Sequence, residues 1–245
     1  MPWNDKHPDV SIVIPVYRAA DQLKYSLQQL EAFIRRTPLG IQVVLIDDGS
    51  GDETTELLLA FAAERDAVVC ITHQKNLGKG RAVSDGVAAA TASIIVFTDI
   101  DIPYELSIVE SMHKKFTDDP RISMLVGSRH HRDSVVERPY GVSRRISSWA
   151  FGRLARAVSH VHTTDVQCGI KAFRYDAARL LFSDLVVSRF AFDVELFIRA
   201  KNFNIKFEEM PVVFRHVAHS TIRILPTSTQ MIKDLWRLYV AYRKK

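Results

Sequence analysis

The first hundred residues alternate between two kinds of segment, and that alternation limits the folds open to the chain. VSIVIPVY (10–17) is a β-branched run, and AADQLKYSLQQLEAFIRR (19–36) repeats Leu23, Leu27, Leu30 and Ile34 at helical spacing. IQVVLIDDGS (41–50) reads as strand then turn, and DETTELLLAFAAERD (52–66) as a helix with acids in its first turn, where the helix dipole favours them. AVVCITH (67–73) and KGRAVSDGVAAATA (79–92) repeat the pair, and SIIVF (93–97) closes the series. Strands this continuously apolar are buried on both faces. The order βαβαβα therefore predicts an α/β fold with a mostly parallel central sheet and helices on both faces. A chain of 245 residues is long enough for one such domain with a substantial core. The second half is less regular: ISMLVGSR (122–129) reads as a strand, 143–160 as basic helix, and FAFDVELFIRAKNF (190–203) as a further helix.

Polar residues gather where the strands end, which is where open sheets of this kind bind ligands. Asp47 and Asp48 follow VVLI, Asn76 and Lys79 follow AVVCITH, and Asp99 and Asp101 follow SIIVF. On an extended segment, residues two apart point the same way. Two carboxylates so placed repel each other unless a cation sits beside them. Mg²⁺ or Mn²⁺, which prefer hard oxygen ligands, meet that need and keep positions open for phosphate oxygens. A DxD pair alone is a common surface feature. This one is accompanied by a second acidic turn, DDGSGDET, and by a glycine-rich NLGKGRA.

Composition narrows the function classes. A hydrophobic content of 47% with 25% charged residues excludes a disordered or fibrous chain. The net charge of +5 fits an anionic partner without choosing one, and no aromatic-basic recognition motif accompanies it, so nucleic acid is not expected. Cys70 and Cys168 lie far apart and outside any CxxC pattern, which indicates neither a disulfide framework nor a zinc site and makes a reducing compartment the default. The N-terminal MPWNDKHPDV has no apolar core of the signal-peptide kind, and no run approaches the ~18–20 apolar residues that span a bilayer.

SIVIPVY, VVLIDDGSGDET, NLGKGRAV and FTDIDIP, in that order and at those separations, resemble the nucleotide-diphospho-sugar domain of family 2 inverting glycosyltransferases, which has the GT-A fold. TDVQCGIKAFRYDAARLLF and FAFDVELFIRAKNFNIKFEEMPVVF resemble the dolichyl-phosphate glucose and dolichyl-phosphate mannose synthase branch. The resemblance implies a catalytic domain over 1–225, followed by an amphipathic basic helix over 226–245. It gives Asp47 a contact to the nucleotide base and Asp48 a turn role beside it. Pro15 and Tyr17 would line the nucleotide, and Asn76, Gly78 and Lys79 would serve the diphosphate of a UDP- or GDP-hexose donor. Asp99 and Asp101 would hold the metal ion. Asp165 and Gln167 match the segment on the sugar and acceptor side. Arg129 and Lys171 match motif positions suited to an acceptor phosphate, with Arg144, Arg145 and Arg223 as further cations. Asp193 and Glu195 stand two apart on a helix and do not share a face, so one is expected to orient donor or acceptor and the other to be structural.

The chain departs from the family pattern at three places. Ile102 and Pro103 follow the acids where the mannose enzymes usually carry leucine and glutamine, which favours the glucose-type branch. Arg18 and Ala19 replace the usual asparagine and glutamate, and Thr221 stands where a basic residue is common, with Arg223 nearby. Two acceptor chemistries stay open at this stage. A polyprenyl phosphate is already an anionic nucleophile. A hydroxyl of a saccharide or glycolipid needs a carboxylate base, for which Asp165 and Asp193 are the candidates. A non-catalytic binding module on the same fold is the third reading.

A polyprenyl acceptor implies a membrane surface. SRRISSWAFGRLARAVSHV places Ile146, Trp149, Ala150, Leu154 and Val158 on one stripe, with Arg144, Arg145, Arg153 and Arg156 mostly elsewhere. QMIKDLWRLYVAYRKK mixes Met231, Leu235, Leu238 and Tyr242 with a basic tail. Both suit helices lying among anionic headgroups, and both equally suit amphipathic helices packed on a core. The expectation is a cytoplasmic protein held peripherally on the cytoplasmic face of a membrane, with a membrane-embedded partner or a homo-oligomer as the other means of anchoring.

Overall fold

A computed structural model describes residues 7–138, 142–159, 161, 163–215 and 224–243, with the backbone alone at 138, 142–150 and 224–228. The first half follows the alternation read from the sequence: β1 (Val10–Val16), α1 (Ala20–Arg36), β2 (Ile41–Asp47), α2 (Thr54–Ala63), β3 (Val68–Thr72), α3 (Lys79–Ala89) and β4 (Ile94–Phe97). α2 begins at Thr54 because the Asp52 carboxylate accepts the Thr54 amide and closes the turn ahead of it. The second half contains α4 (Ser107–Asp118), β5 (Met124–Ser128), β6 (Val135–Arg138), α5 (Val142–Ser159) and β7 (Lys171–Arg174). It ends with α6 (Tyr175–Phe182), α7 (Phe192–Asn202), β8 (Phe207–Pro211), β9 (Val213–Arg215) and α8 (Ile224–Tyr242).

Seven strands form one sheet in the order β3-β2-β1-β4-β7-β5-β8. All neighbours are parallel except β7, which runs antiparallel to both β4 and β5. β6 and β9 make a separate parallel pair. The central strands are buried on both faces while the edge strands β3 and β8 are only partly covered, and the period-2 geometry of a strand divides the buried residues between two cores. Ile12, Ile14, Val43, Leu45 and Val96 pack with α1 and α4 side chains such as Leu23, Leu30, Val109 and Phe116. Val13, Val44, Ile46, Ile95 and Phe97 pack on the other face with Val83, Phe182, Phe192 and Phe197.

α8 belongs to this second core. Leu235 and Leu238 are buried in it, and Tyr242 packs against it. The stripe that the sequence offers to a membrane on this helix therefore faces inward in large part. A different face, carrying Ile232, Trp236, Tyr239 and Val240, is exposed. On α5, Ala155 is buried and Val158 packs on the core, while Leu154 is exposed. The side chains of Arg144, Arg145, Ile146, Trp149 and Ala150, and residues Thr221 and Arg223, lie outside the described residues.

Candidate active site

The sheet order reverses at β1. The chain steps from β1 to β2 and β3 on one side, and β4 then pairs with β1 on the other. Such a reversal opens a crevice at the carboxyl ends of the strands. The loops after β1, β2, β3 and β4 meet there, and carboxylates hold them in place.

Asp47, at the end of β2, is fully buried. Its Oδ1 accepts the Ser50 amide (3.0 Å) and hydroxyl, and its Oδ2 accepts the Thr55 hydroxyl. The acid that the resemblance gives to the base thus shapes the DDGSGDET turn, and contact with a base there requires Ser50 or Thr55 to yield. The same turn fixes the loop after β1. Ser50 Oγ accepts the Arg18 amide, Thr54 Oγ1 accepts the Ala19 amide, and Arg18 takes φ 47° with its guanidinium 5.4 Å from the Tyr17 ring. Tyr17 is 38% exposed at the crevice and Pro15 is partly buried behind it.

Asp48 holds the next loop. Its two oxygens accept the amides of Leu77 and Gly78, each at 2.8 Å, and Oδ1 lies 2.9 Å from His73 Nδ1. The other ring nitrogen of His73 faces Asp85, which also accepts the Arg81 guanidinium at 2.7 Å. Gly78 ends this loop at φ 101°, and a Cβ there would collide with the Ser188 carbonyl oxygen. The Asn76–Gly78 segment is thereby pressed between Asp48 and the Ser188 loop, and α3 starts at the next residue, Lys79.

Lys79 reaches across to the turn after β4, where its Nζ lies 2.5 Å from Asp99 Oδ1. Burial pulls its pKa down, but Asp99, Asp193 and Asp101 outweigh that and hold the ammonium above its ordinary value. The other oxygen of Asp99 lies against Gly169, where a Cβ would collide with Oδ2. Gly169 is fixed by its amide bond to the buried Tyr104 hydroxyl (2.9 Å), whose pKa burial pushes well above the usual phenol value. Asp101 sits in the same turn as Asp99. It is followed by buried Ile102 at φ 41°, a left-handed conformation that disfavours a β-branched residue and fixes the turn tightly. Among the described residues no cluster of three or more His, Cys, Asp or Glu is arranged to hold a metal ion. Asp99 and Asp101 offer two hard carboxylate ligands, a donor set that fits a divalent cation completing its shell with diphosphate oxygens.

On the far side of the crevice the carboxylates hold cations instead. Arg129, just past β5, makes a forked pair with Asp165: Nε to Oδ2 at 2.6 Å and Nη2 to Oδ1 at 2.8 Å, with its amide on Oδ2 as well. Burial would raise the Asp165 pKa, but the Arg129 guanidinium holds it below its ordinary value. Glu209 on β8 braces this segment by accepting the hydroxyls of Thr163 and Thr164 and the Thr164 amide. Lys171 on β7 has no exposed surface and gives its protons to Asp193 Oδ1 (2.6 Å) and the Cys168 carbonyl (2.7 Å). Its charge acts through Asp193 rather than by direct contact with a ligand. Both ammonium groups, Lys79 and Lys171, lie near the Phe97 ring, 5.9 and 5.3 Å from its centroid. Glu195 departs on the other face of α7, accepting the Val186 and Val187 amides and the Tyr242 hydroxyl, which gives it a structural role. Gln167 is half-buried beside Cys168.

Sequence reasoning did not single out Tyr104, Gly169, His73 or Glu209. Gly169 carried the only local signal, a glycine two residues ahead of β7. No helix among the described residues is long and apolar enough to cross a membrane.

Comparison with known proteins identifies the family. The family model for glycosyl transferase family 2 matches residues 11–182. The dolichyl-phosphate beta-glucosyltransferase of Homo sapiens is 30% identical over 98% of this chain and 78% of that protein. The Dictyostelium discoideum protein of the same name is 27% identical over 95% and 74%. Among solved structures, glucosyl-3-phosphoglycerate synthase from Mycobacterium tuberculosis, in complex with Mn²⁺, UDP-glucose and phosphoglyceric acid, superposes with a TM-score of 0.65. It is 16% identical, and the match covers 95% of this chain and 80% of that one. The chain is a glycosyltransferase with the GT-A fold and belongs to glycosyl transferase family 2.

Proposed function

We propose that this enzyme transfers glucose, with inversion, from a nucleotide-diphosphate sugar to a polyprenyl phosphate. The observation that carries the acceptor class is the state of the two acids facing the acceptor side. Asp165 is forked onto Arg129 and Asp193 is paired with buried Lys171, so neither is placed to take a proton from a hydroxyl. A phosphate monoester is already an anion and needs no base. The dolichyl-phosphate beta-glucosyltransferase relatives support the same acceptor and sugar.

On the donor side, Pro15, Tyr17 and Asp47 serve the nucleoside, while Asn76, Gly78 and Lys79 serve the diphosphate at the start of α3, where the helix dipole favours anions. Asp48 keeps that loop in register. Asp99 and Asp101 hold Mg²⁺ or Mn²⁺. When bound, such an ion stabilises the charge developing on the departing nucleoside diphosphate. The exposed face of α8, with Ile232, Trp236, Tyr239 and Val240 beside Lys233, Arg237 and Arg243, supports a peripheral position on the cytoplasmic face of a membrane.

Transfer of radiolabelled sugar from UDP- and GDP-hexoses to a short polyprenyl phosphate in detergent, with Mg²⁺ or EDTA, tests the reading. The expected result is metal-dependent labelling of the lipid from one glucose donor. Labelling of an added glycoside instead, abolished by Asp165→Asn or Asp193→Asn, would move the acceptor to a hydroxyl.

A further inference from the structure

The ion pair between Lys79 and Asp99 carries a consequence for the order in which the site fills. Asp99 has two oxygens. Oδ2 lies close to Gly169, where a Cβ would collide with it. Oδ1 is covered by the Lys79 ammonium at 2.5 Å. A cation approaching Asp99 therefore meets a charge of its own sign already in contact with that carboxylate. The wider balance points the same way. Asp99, Asp101 and Asp193 all act on Lys79, and Lys171 neutralises Asp193 from below. Asp99 and Asp193 are each matched by an ammonium group before any ligand arrives.

We propose that Lys79 is a built-in counter-ion that competes with the divalent cation for Asp99, and that it gives up this place when a diphosphate offers it other oxygens. Lys79 can make that exchange because it stands at the first position of α3, directly after the Gly78 turn, and its side chain is 17% exposed rather than sealed in the core. The exchange needs no proton transfer: the ammonium leaves one anion for another, and the cation takes the vacated carboxylate oxygen. The site is then electrostatically reluctant to hold the metal alone and receptive to metal and diphosphate together. This rests on the nucleotide-sugar reading for the diphosphate, but not for the competition at Asp99.

The test is Mn²⁺ binding, followed by loss of the free-ion electron paramagnetic resonance signal, with Mn²⁺ alone and with UDP or GDP added. Removal of one competing unit charge at contact distance is expected to tighten binding of Mn²⁺ alone by about tenfold or more in Lys79→Met. Lys79→Gln should shift the same way, and decides the matter if the methionine variant does not fold. Adding Asp99→Asn to either should erase the gain, which locates it at that carboxylate. A purely structural lysine would yield equal or weaker Mn²⁺ binding in both variants, and that result overturns the proposal. The nucleotide arm reports separately: if neither UDP nor GDP tightens Mn²⁺ binding to the wild-type protein, the donor assignment falls, whatever the variants do with Mn²⁺ alone.

Discussion

The two walls of the crevice use the same residue type in opposite ways. On the β1–β4 wall, Asp47 and Asp48 accept backbone amides and hydroxyls, and so fix the course of loops. On the β5–β7 wall, Asp165 and Asp193 accept from Arg129 and Lys171, and so fix buried charges. A carboxylate that holds amides stabilises one backbone conformation and leaves side chains nearby free to meet a ligand. A carboxylate that holds a buried cation cancels it, and neither partner can then leave without exposing the other to a low-dielectric surrounding. Asp47 and Asp48 make the first wall a set of braced loops, with the Lys79–Asp99 pair at its β4 end, and Asp165 and Asp193 make the second a set of locked pairs braced by Glu209.

The largest effect is expected from breaking a locked pair. Asp193→Ala leaves the ammonium of Lys171, which is 0% exposed, without its counter-charge, and should destabilise the protein by ~3–5 kcal/mol in urea unfolding. Lys171→Met combined with Asp193→Leu should recover most of that loss, because two apolar side chains remove both charges together. If the double variant were as unstable as the single one, the pair would be valued for shape rather than charge balance, and the contrast between the walls would fail.

A braced loop should respond less and more locally. Asp48→Ala removes the acceptor of two amides and the partner of His73, for which ~2–3 kcal/mol is expected from charge-assisted hydrogen bonds. Hydrogen exchange should show the loss concentrated at the Leu77 and Gly78 amides. Uniform deprotection across the sheet would mean that Asp48 acts on the fold as a whole.

This contrast also accounts for what could be read from the chain. Asp47 and Asp48 act on residues that follow a strand directly, or on the next strand's loop, and the turn chemistry DDGSGDET and NLGKGRA announces them. Arg129 and Asp165 are 36 residues apart, and Lys171 and Asp193 are 22 apart, with helices between, so spacing carries no sign of either pairing. The same holds for β7. Its residues 171–174 are too few for a periodic signal, and it joins the sheet between β4 and β5, an insertion set by tertiary pairing rather than local propensity. On α8 the helical period was legible and its orientation was not. Leu235 and Leu238 are buried in the second core with Tyr242 packed beside them, while Trp236 and Tyr239 are exposed, and nothing within the helix itself chooses between the two apolar faces.

A pH series sharpens the comparison at the Arg129–Asp165 pair. The folded-state pKa of Asp165 is held below its ordinary value, so this acid adds stability that is fully present above the unfolded carboxylate pKa of ~3.9 and is lost as pH falls through the lower folded value. Wild-type stability should therefore drop more steeply below about pH 4 than that of an Arg129→Met, Asp165→Asn double variant. Parallel acid limbs would show that the pair contributes nothing through its charge.

The smallest effect belongs to the one tie between α8 and α7 that uses a neutral donor. Tyr242 donates to Glu195 at 2.7 Å, while that carboxylate also accepts two amides from the Val186–Val187 segment. The tyrosine hydroxyl is held protonated: burial, and the adjacent acid, push its pKa up to about 12. Tyr242→Phe keeps the ring packed on the core and removes that donor together with a long, 3.5 Å acceptor contact to Arg199 Nη1, so a cost of ~1 kcal/mol is expected, since Glu195 stays satisfied by its two amides. Thermal unfolding should register this as a shift of a few degrees at most for a chain of 245 residues, with Mn²⁺ binding unchanged. A loss as large as that of Asp193→Ala would place Glu195 among the locked charges instead. Its amide bonds would then be too weak to hold a buried carboxylate alone, and α8 would be part of the acceptor wall's charge system rather than a helix fastened beside it.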